Sequence, residues 1–152
     1  MTSFRAAHSG AADPMQAVGE VLAGLARSRA GNGSDTRPTL GFVYATDHLA
    51  GALPAILETL RARTGIADWT GTAGLGAIAN DADAGVEYFD RPGLAVMTAA
   101  LPPEKHLVFE PVHGGMPPFE RAHGNWLAEN LPLFGVVHAD PRNPHVAEIV
   151  AT

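Results

Sequence analysis

Residues 39–71, TLGFVYATDHLAGALPAILETLRARTGIADWTG, decide the fold. The run Thr39–Ala45 is short, apolar and rich in aromatic and β-branched residues, which is typical of a strand buried on both faces. A helix follows, and Ala67–Gly71 is predicted as the next strand. Two strands joined by a helix make a β-α-β unit, whose crossover is nearly always right-handed.

The boundaries of that helix follow from two residues with special backbones. Pro54 has no N–H to donate, so it belongs in the first turn and the helix begins near Ala52. His48–Gly51 is therefore predicted as a turn. Gly65 is predicted as the C-terminal cap, because glycine adopts the left-handed conformation there without cost. One face of the helix is apolar, and it carries Leu53, Ile56, Leu57 and Leu60.

An earlier helix is predicted to begin at Asp13. Asp13 is followed by Pro14, and Gln16 lies three residues after Asp13, which completes a capping-box pattern. Apolar residues then recur at helical spacing, and Gly31–Ser34 ends the pattern. Residues 1–12, which precede this helix, are predicted to be a flexible N-terminal tail.

The second half of the chain predicts shorter elements. Val86–Phe89 and Leu94–Leu101 flank Asp90–Gly93, which is typical of a hairpin, and Pro102-Pro103 ends its second strand. The remaining predicted elements are a possible strand over residues 106–110, a short helix over 119–130, a buried strand over 133–139, and the opening of a helix from 145.

Together these elements predict an α/β fold. We expect a mixed sheet with a parallel β-α-β unit and an antiparallel hairpin, and helices that cover the sheet. At 152 residues the chain is long enough for one core, so a single domain is predicted over residues 13–152. Only three apolar residues anchor the last helix, so we expect the domain to be truncated at its C-terminus.

Composition and charge exclude several classes of protein. Apolar residues make up 46% of the chain and charged residues 17%, which excludes disorder for most of it. The net charge is -6 and the basic residues are scattered singly, so neither nucleic acid nor a membrane is an expected partner. The absence of cysteine excludes disulfides and leaves the compartment open. The chain has no export signal and no stretch of about 18 apolar residues. We therefore expect a cytoplasmic protein.

Two stretches carry a family resemblance. DWTGTAGLG, residues 68–76, followed by GVEYFDRPGLAVM, residues 85–97, resembles the N-terminal region of the FIST family. FIST domains are bacterial sensory domains proposed to bind small ligands, amino acids among them, and are often linked to signalling modules. The resemblance covers roughly residues 40–150. It implies a ligand-binding domain that works with a missing C-terminal half or a signalling partner.

The glycine-rich stretch is the first candidate site. Gly71, Thr72, Ala73 and Gly74 end a predicted strand, where backbone N–H groups can approach a carboxylate or phosphate closely. No Lys-Ser or Lys-Thr follows, so the stretch is not a P-loop, and the glycine order does not match a dinucleotide fingerprint. The alternative is that these glycines only permit bends in a crowded sheet.

Polar residues at two predicted strand ends are the second candidate. Thr46, Asp47 and His48 lie at the carboxyl end of one predicted strand, and His138 and Asp140 lie at the carboxyl end of another. Ligands of α/β sheets bind outside the carboxyl ends of the strands, so these groups could converge and Asp47 or Asp140 could hold an ammonium group. The alternative is local, because an aspartate at such a position often caps a helix or an Asp-Pro turn.

Catalysis and metal binding are not expected. His106, Glu110 and His113 have a metal-like spacing, but Pro111 breaks any helix that would align them. None of the serines lies in a Gly-x-Ser-x-Gly elbow. We therefore predict no enzyme activity, no metal and no cofactor. The predicted function is sensing of a small polar metabolite. The alternative is an interaction or assembly module in which an exposed sheet edge pairs with another chain, with a homo-oligomer as one form of that assembly.

Overall fold

The computed structural model describes residues 3–32, 37–80, 85–109, 116–140 and 142–147. The chain divides into two compact units, residues 1–103 and 104–152, where the sequence predicts a single domain over residues 13–152. The division follows Pro102-Pro103, which ends the last strand of the first unit. Among the described residues, no helix is long and apolar enough to cross a bilayer.

Among the described residues, nine helices and strands lie in the first unit and one long helix lies in the second. In chain order they are β1 (Ser3–Ser9), α1 (Pro14–Asn32), β2 (Leu40–Thr46), α2 (Asp47–Ala50), α3 (Leu53–Thr64), β3 (Asp68–Gly74), β4 (Gly76–Asn80), β5 (Gly85–Phe89), β6 (Leu94–Ala100) and α4 (Met116–Asn130). A 3-10 turn spans Pro103–Lys105.

The main sheet has four strands in the order β1-β6-β2-β3. β2 and β3 are parallel, and β6 is antiparallel to both β1 and β2. A second sheet consists of the antiparallel pair β4 and β5. The predicted α/β fold, a mixed sheet with a parallel β-α-β unit and an antiparallel hairpin, is confirmed.

The helix boundaries confirm the capping predictions. The Gln16 N–H donates to Asp13 Oδ1 at 2.7 Å, so Asp13 caps α1. α3 begins at Leu53 with Pro54 in its first turn, and Gly65 ends it with φ 70°. The predicted turn before α3 is the exception, because Asp47–Ala50 forms the short helix α2.

Within the first unit, α1, α2 and α3 pack on one face of the main sheet, where most of its buried apolar side chains lie. This core contains Ala7, Ala17, Val18, Val21, Leu25, Val43, Ala45, Leu49, Ile56, Leu60, Ile66, Trp69, Leu94 and Val96. Trp69 lies opposite Gly41 in the β2–β3 register, where its ring fills the space of the missing side chain. Its indole N–H donates to the Ile66 carbonyl at 2.9 Å, so Trp69 is a core residue.

The predicted hairpin forms with a different partner. β5 pairs with β4, and β6 instead pairs with β1 and β2 in the main sheet. Tyr88 packs with Ala79 and Ala95, while Leu94 and Val96 belong to the other core. Because successive side chains of a strand point to opposite faces, the small sheet covers the face of the main sheet opposite the helices. The prediction that β5 pairs with β6 is therefore wrong.

The prediction of a flexible tail is wrong for Ser3–Ser9, which form β1. The strand pairs with β6 from Ser3 opposite Ala100 to Ser9 opposite Leu94. Arg5, Ala7 and Ser9 are buried, whereas Phe4 is 54% exposed. Buried and more exposed residues alternate along β1, as they do in a half-buried strand. Because the buried residues are small or polar, the sequence shows only a weak hydrophobic alternation.

The second unit confirms the predicted helix and lacks a predicted strand. α4 contains the whole of the predicted helix over 119–130. Residues 133–139 form no strand, and Leu133 is 98% exposed, so the prediction of a buried strand is wrong there. Residues 106–109 also form no strand, and Glu110 lies outside the described residues. Of the helix predicted from 145, only Val146 and Ala147 are described as helical.

The contact between β2 and β3 at Gly71 generates a stability prediction. Gly71 has φ 152°, and a Cβ there would overlap the Val43 carbonyl oxygen. Gly71→Ala should lower the free energy of unfolding by about 2 kcal/mol or more, measured by urea denaturation. The matched variant is Gly74→Ala, whose Cβ would lie 3.7 Å from the Gly76 carbonyl oxygen. It should change stability by less than about 1 kcal/mol, and equal losses in the two variants would contradict the packing described.

Candidate functional site

The parallel pairing of β2 with β3 brings the glycine-rich stretch close to the polar residues at the end of β2. Thr46 lies opposite Gly74, and Tyr44 lies opposite Thr72. Asp47 begins α2 directly after Thr46. Five of the eight predicted site residues, Thr46, Asp47 and Thr72–Gly74, are thus grouped at the carboxyl ends of two neighbouring parallel strands, whereas Gly71 lies opposite Val43 in the middle of β3. This is the place where α/β sheets bind ligands.

Thr46 fixes this end of the sheet. Its N–H donates to the Gly93 carbonyl at 2.9 Å, and its Oγ1 accepts from the Gly93 N–H at 3.0 Å. The Thr46 side chain is fully buried. The hydroxyl therefore joins the end of β2 to the start of β6, and it sets the point at which Asp47 leaves the sheet.

The glycine-rich stretch has two parts with different surroundings. At Gly71 the backbones of β2 and β3 are too close for any side chain, so a crowded sheet accounts for this glycine. At Gly74 the space around the backbone is open by comparison. Thr72 is exposed, and its hydroxyl donates to the Ala73 carbonyl at 3.2 Å. The accessible part of the stretch is thus Thr72–Gly74.

An aspartate and a histidine lie side by side at the end of β2. Asp47 Oδ1 accepts from the His48 N–H at 2.9 Å, and His48 Nδ1 lies 2.9 Å from the same oxygen. The side chains are 55% and 42% exposed, so both are accessible from solvent. The sequence places His48 in the same polar group at the strand end, but the predicted ligand-binding residues there are Thr46 and Asp47.

Asp140 is engaged within its own unit. Its Oδ2 lies 2.7 Å from Arg142 Nη2, and its Oδ1 accepts from the Arg142 N–H at 2.9 Å. These bonds from Arg142 lower the pKa of the Asp140 carboxyl to about 2. The aspartate thus stabilises a local turn, as the alternative interpretation of this residue predicts.

His138 belongs to the same unit, and burial lowers the pKa of its imidazole. Neither His138 nor Asp140 follows a strand, because residues 133–139 form none. The sequence predicts these two residues in the site because of their position at the carboxyl end of a strand. The structure does not place them at such a position.

Comparison with known proteins finds no match. No family model, no curated protein and no solved structure is similar to the chain. The resemblance to the FIST N-terminal region therefore stays a prediction. Within the ranges that the structure describes, no three His, Asp or Glu side chains are grouped as a metal ion would need.

The Asp140–Arg142 pair generates a prediction about pH. The folded-state pKa of about 2 lies below the ordinary value of 3.8, so the pair stabilises the fold above that ordinary value and is lost as the pH falls toward 2. Arg142→Ala should return the Asp140 midpoint toward 3.8, measured by NMR titration of the carboxyl carbon. The control is Arg121→Ala on α4, which should leave the midpoint low. An unchanged midpoint in Arg142→Ala would contradict this assignment.

Proposed function

We propose that this protein is a sensory domain that binds a small polar metabolite at the carboxyl ends of β2 and β3. One observation carries the proposal: the register that places Thr46 opposite Gly74, with Asp47 and His48 directly beyond. The resemblance to FIST domains supports the sensory role. It also suggests that the signal passes to a further segment or a signalling partner in the cytoplasm.

The chemistry of the proposed site suits a ligand that carries one positive and one negative group. Asp47 supplies a carboxylate for an ammonium group, and the backbone of Thr72–Gly74 supplies polar groups for a carboxylate. Adjacent strands lie about 4.8 Å apart, so a molecule with charges a few ångströms apart can reach both. Amino acids have this charge arrangement, and they are therefore the class of ligand that we propose.

Binding without catalysis is part of the proposal. Two threonine hydroxyls are described at the carboxyl ends of β2 and β3, those of Thr46 and Thr72. The first is fully buried against Gly93, and the second donates to a backbone carbonyl. Neither is placed as an activated nucleophile, which needs an adjacent base.

The first test is thermal unfolding in the presence of amino acids, small carboxylates and nucleotides. A ligand at 100 times its Kd stabilises the folded state by about 2.7 kcal/mol, which is a readily measured change in Tm. We expect a selective rise with amino acids. The absence of a shift with every class, in a protein that melts cooperatively, would contradict the proposal.

Two variants then locate the site. Asp47→Asn removes the carboxylate, and Gly74→Val fills the open space at the end of β3. Each should reduce the ligand-induced rise in Tm by more than half while the Tm without ligand changes little. The matched control is Glu58→Gln on the exposed side of α3, which removes a carboxylate elsewhere and should leave the rise unchanged. A full rise in Asp47→Asn and Gly74→Val would place the ligand elsewhere.

A further inference from the structure

The main sheet ends in two edge strands, β1 and β3, which differ in how readily they accept another strand. β3 is paired with β2 along its whole length, but it contains two glycines, Gly71 with φ 152° and Gly74, and glycine weakens a strand. β1 continues through all seven residues in unbroken register with β6. β1 contains no glycine, no proline and no lysine, and its one charged residue, Arg5, is buried. Of the two edges, β1 is the one suited to extend the sheet.

We propose that β1 pairs antiparallel with β1 of a second copy of this chain, about a two-fold axis at Ala6. The two main sheets then form one continuous sheet of eight strands, twice the four described in each copy. The interface is isologous, since each copy contributes the same strand. It lies on the edge opposite β3 and is therefore independent of the proposed ligand site.

Two features of β1 favour the register with its axis at Ala6: side chains alternate between the two faces of the strand, and Arg5 carries a charge. Residues directly opposite must share a face, so that the helices of both copies cover the same side of the sheet. A two-fold axis at Arg5 would place two guanidinium groups opposite each other, and an axis at Ala7 would leave Ser3 and Phe4 beyond the paired strand. The axis at Ala6 pairs all seven residues and places Arg5 opposite Ala7.

Phe4 provides a second reason for a copy of this chain as the partner. It is 54% exposed on the edge strand, and the proposed register places it opposite His8 of the second copy. The His8 ring is already held in place, since its Nδ1 lies 2.6 Å from the Tyr88 hydroxyl and the two rings meet edge to face. Each Phe4 therefore packs on a fixed aromatic surface, and symmetry repeats the contact.

Engineered cysteines test the register directly, because the natural chain contains none. In the proposed dimer, Ala6→Cys lies opposite itself, at the Cα separation of about 4.5–5.5 Å that a disulfide needs. Phe4→Cys is the matched control, since its two copies lie four residues apart along the strands, about 13 Å. On mild oxidation, we expect Ala6→Cys to form a linked dimer at least tenfold faster than Phe4→Cys.

Sedimentation of the unaltered protein without ligand tests the same proposal and requires no variant to fold. We expect a reversible dimer. In a second measurement, Phe4→Lys should raise the dimer dissociation constant Kd at least tenfold while the circular dichroism spectrum stays that of the folded protein. A protein that stays monomeric at every concentration would overturn the proposal. Equal rates of disulfide formation in folded Ala6→Cys and Phe4→Cys would also overturn the proposal, because equal rates indicate random collisions between copies.

Discussion

The close approach of β3 to β2 at Gly71 is the constraint on which the arrangement of the carboxyl ends of these two strands depends. Only a hydrogen atom fits beside the Val43 carbonyl oxygen, so the two strands can stay in register up to Thr46 and Gly74. Thr46 then exchanges two hydrogen bonds with Gly93 and holds the start of β6 at the same end. The packing that requires glycine at position 71 thus also organises the residues beyond it.

Much of this arrangement is predictable because it depends on local chemistry. Asp13, Pro54 and Gly65 set helix boundaries through capping and backbone geometry, and these boundaries are found where the sequence places them. The β-α-β unit follows from the order of two strands and a helix. Its parallel register then brings Asp47 to the glycine-rich stretch without any further information.

The features that sequence reasoning missed depend on contacts between distant parts of the chain. β5 has the same local pattern whether it pairs with β4 or β6, and only the packing of Tyr88 on Ala95 distinguishes the two. β1 is not predicted because its buried side chains, Arg5, Ala7 and Ser9, are small or polar. Residues 133–139 have strong β-propensity but form no strand, because a strand also needs a partner with unpaired backbone groups. His138 and Asp140 entered the predicted site only through that strand.

The site is tested most directly by following backbone amides of isotope-labelled protein by NMR while amino acids are added. Binding at the proposed place shifts the amide signals of Asp47, His48 and Thr72–Gly74 first, and by the largest amounts. Saturable shifts confined to residues 104–152, or to the edge at β1, would contradict a site at the carboxyl ends of β2 and β3.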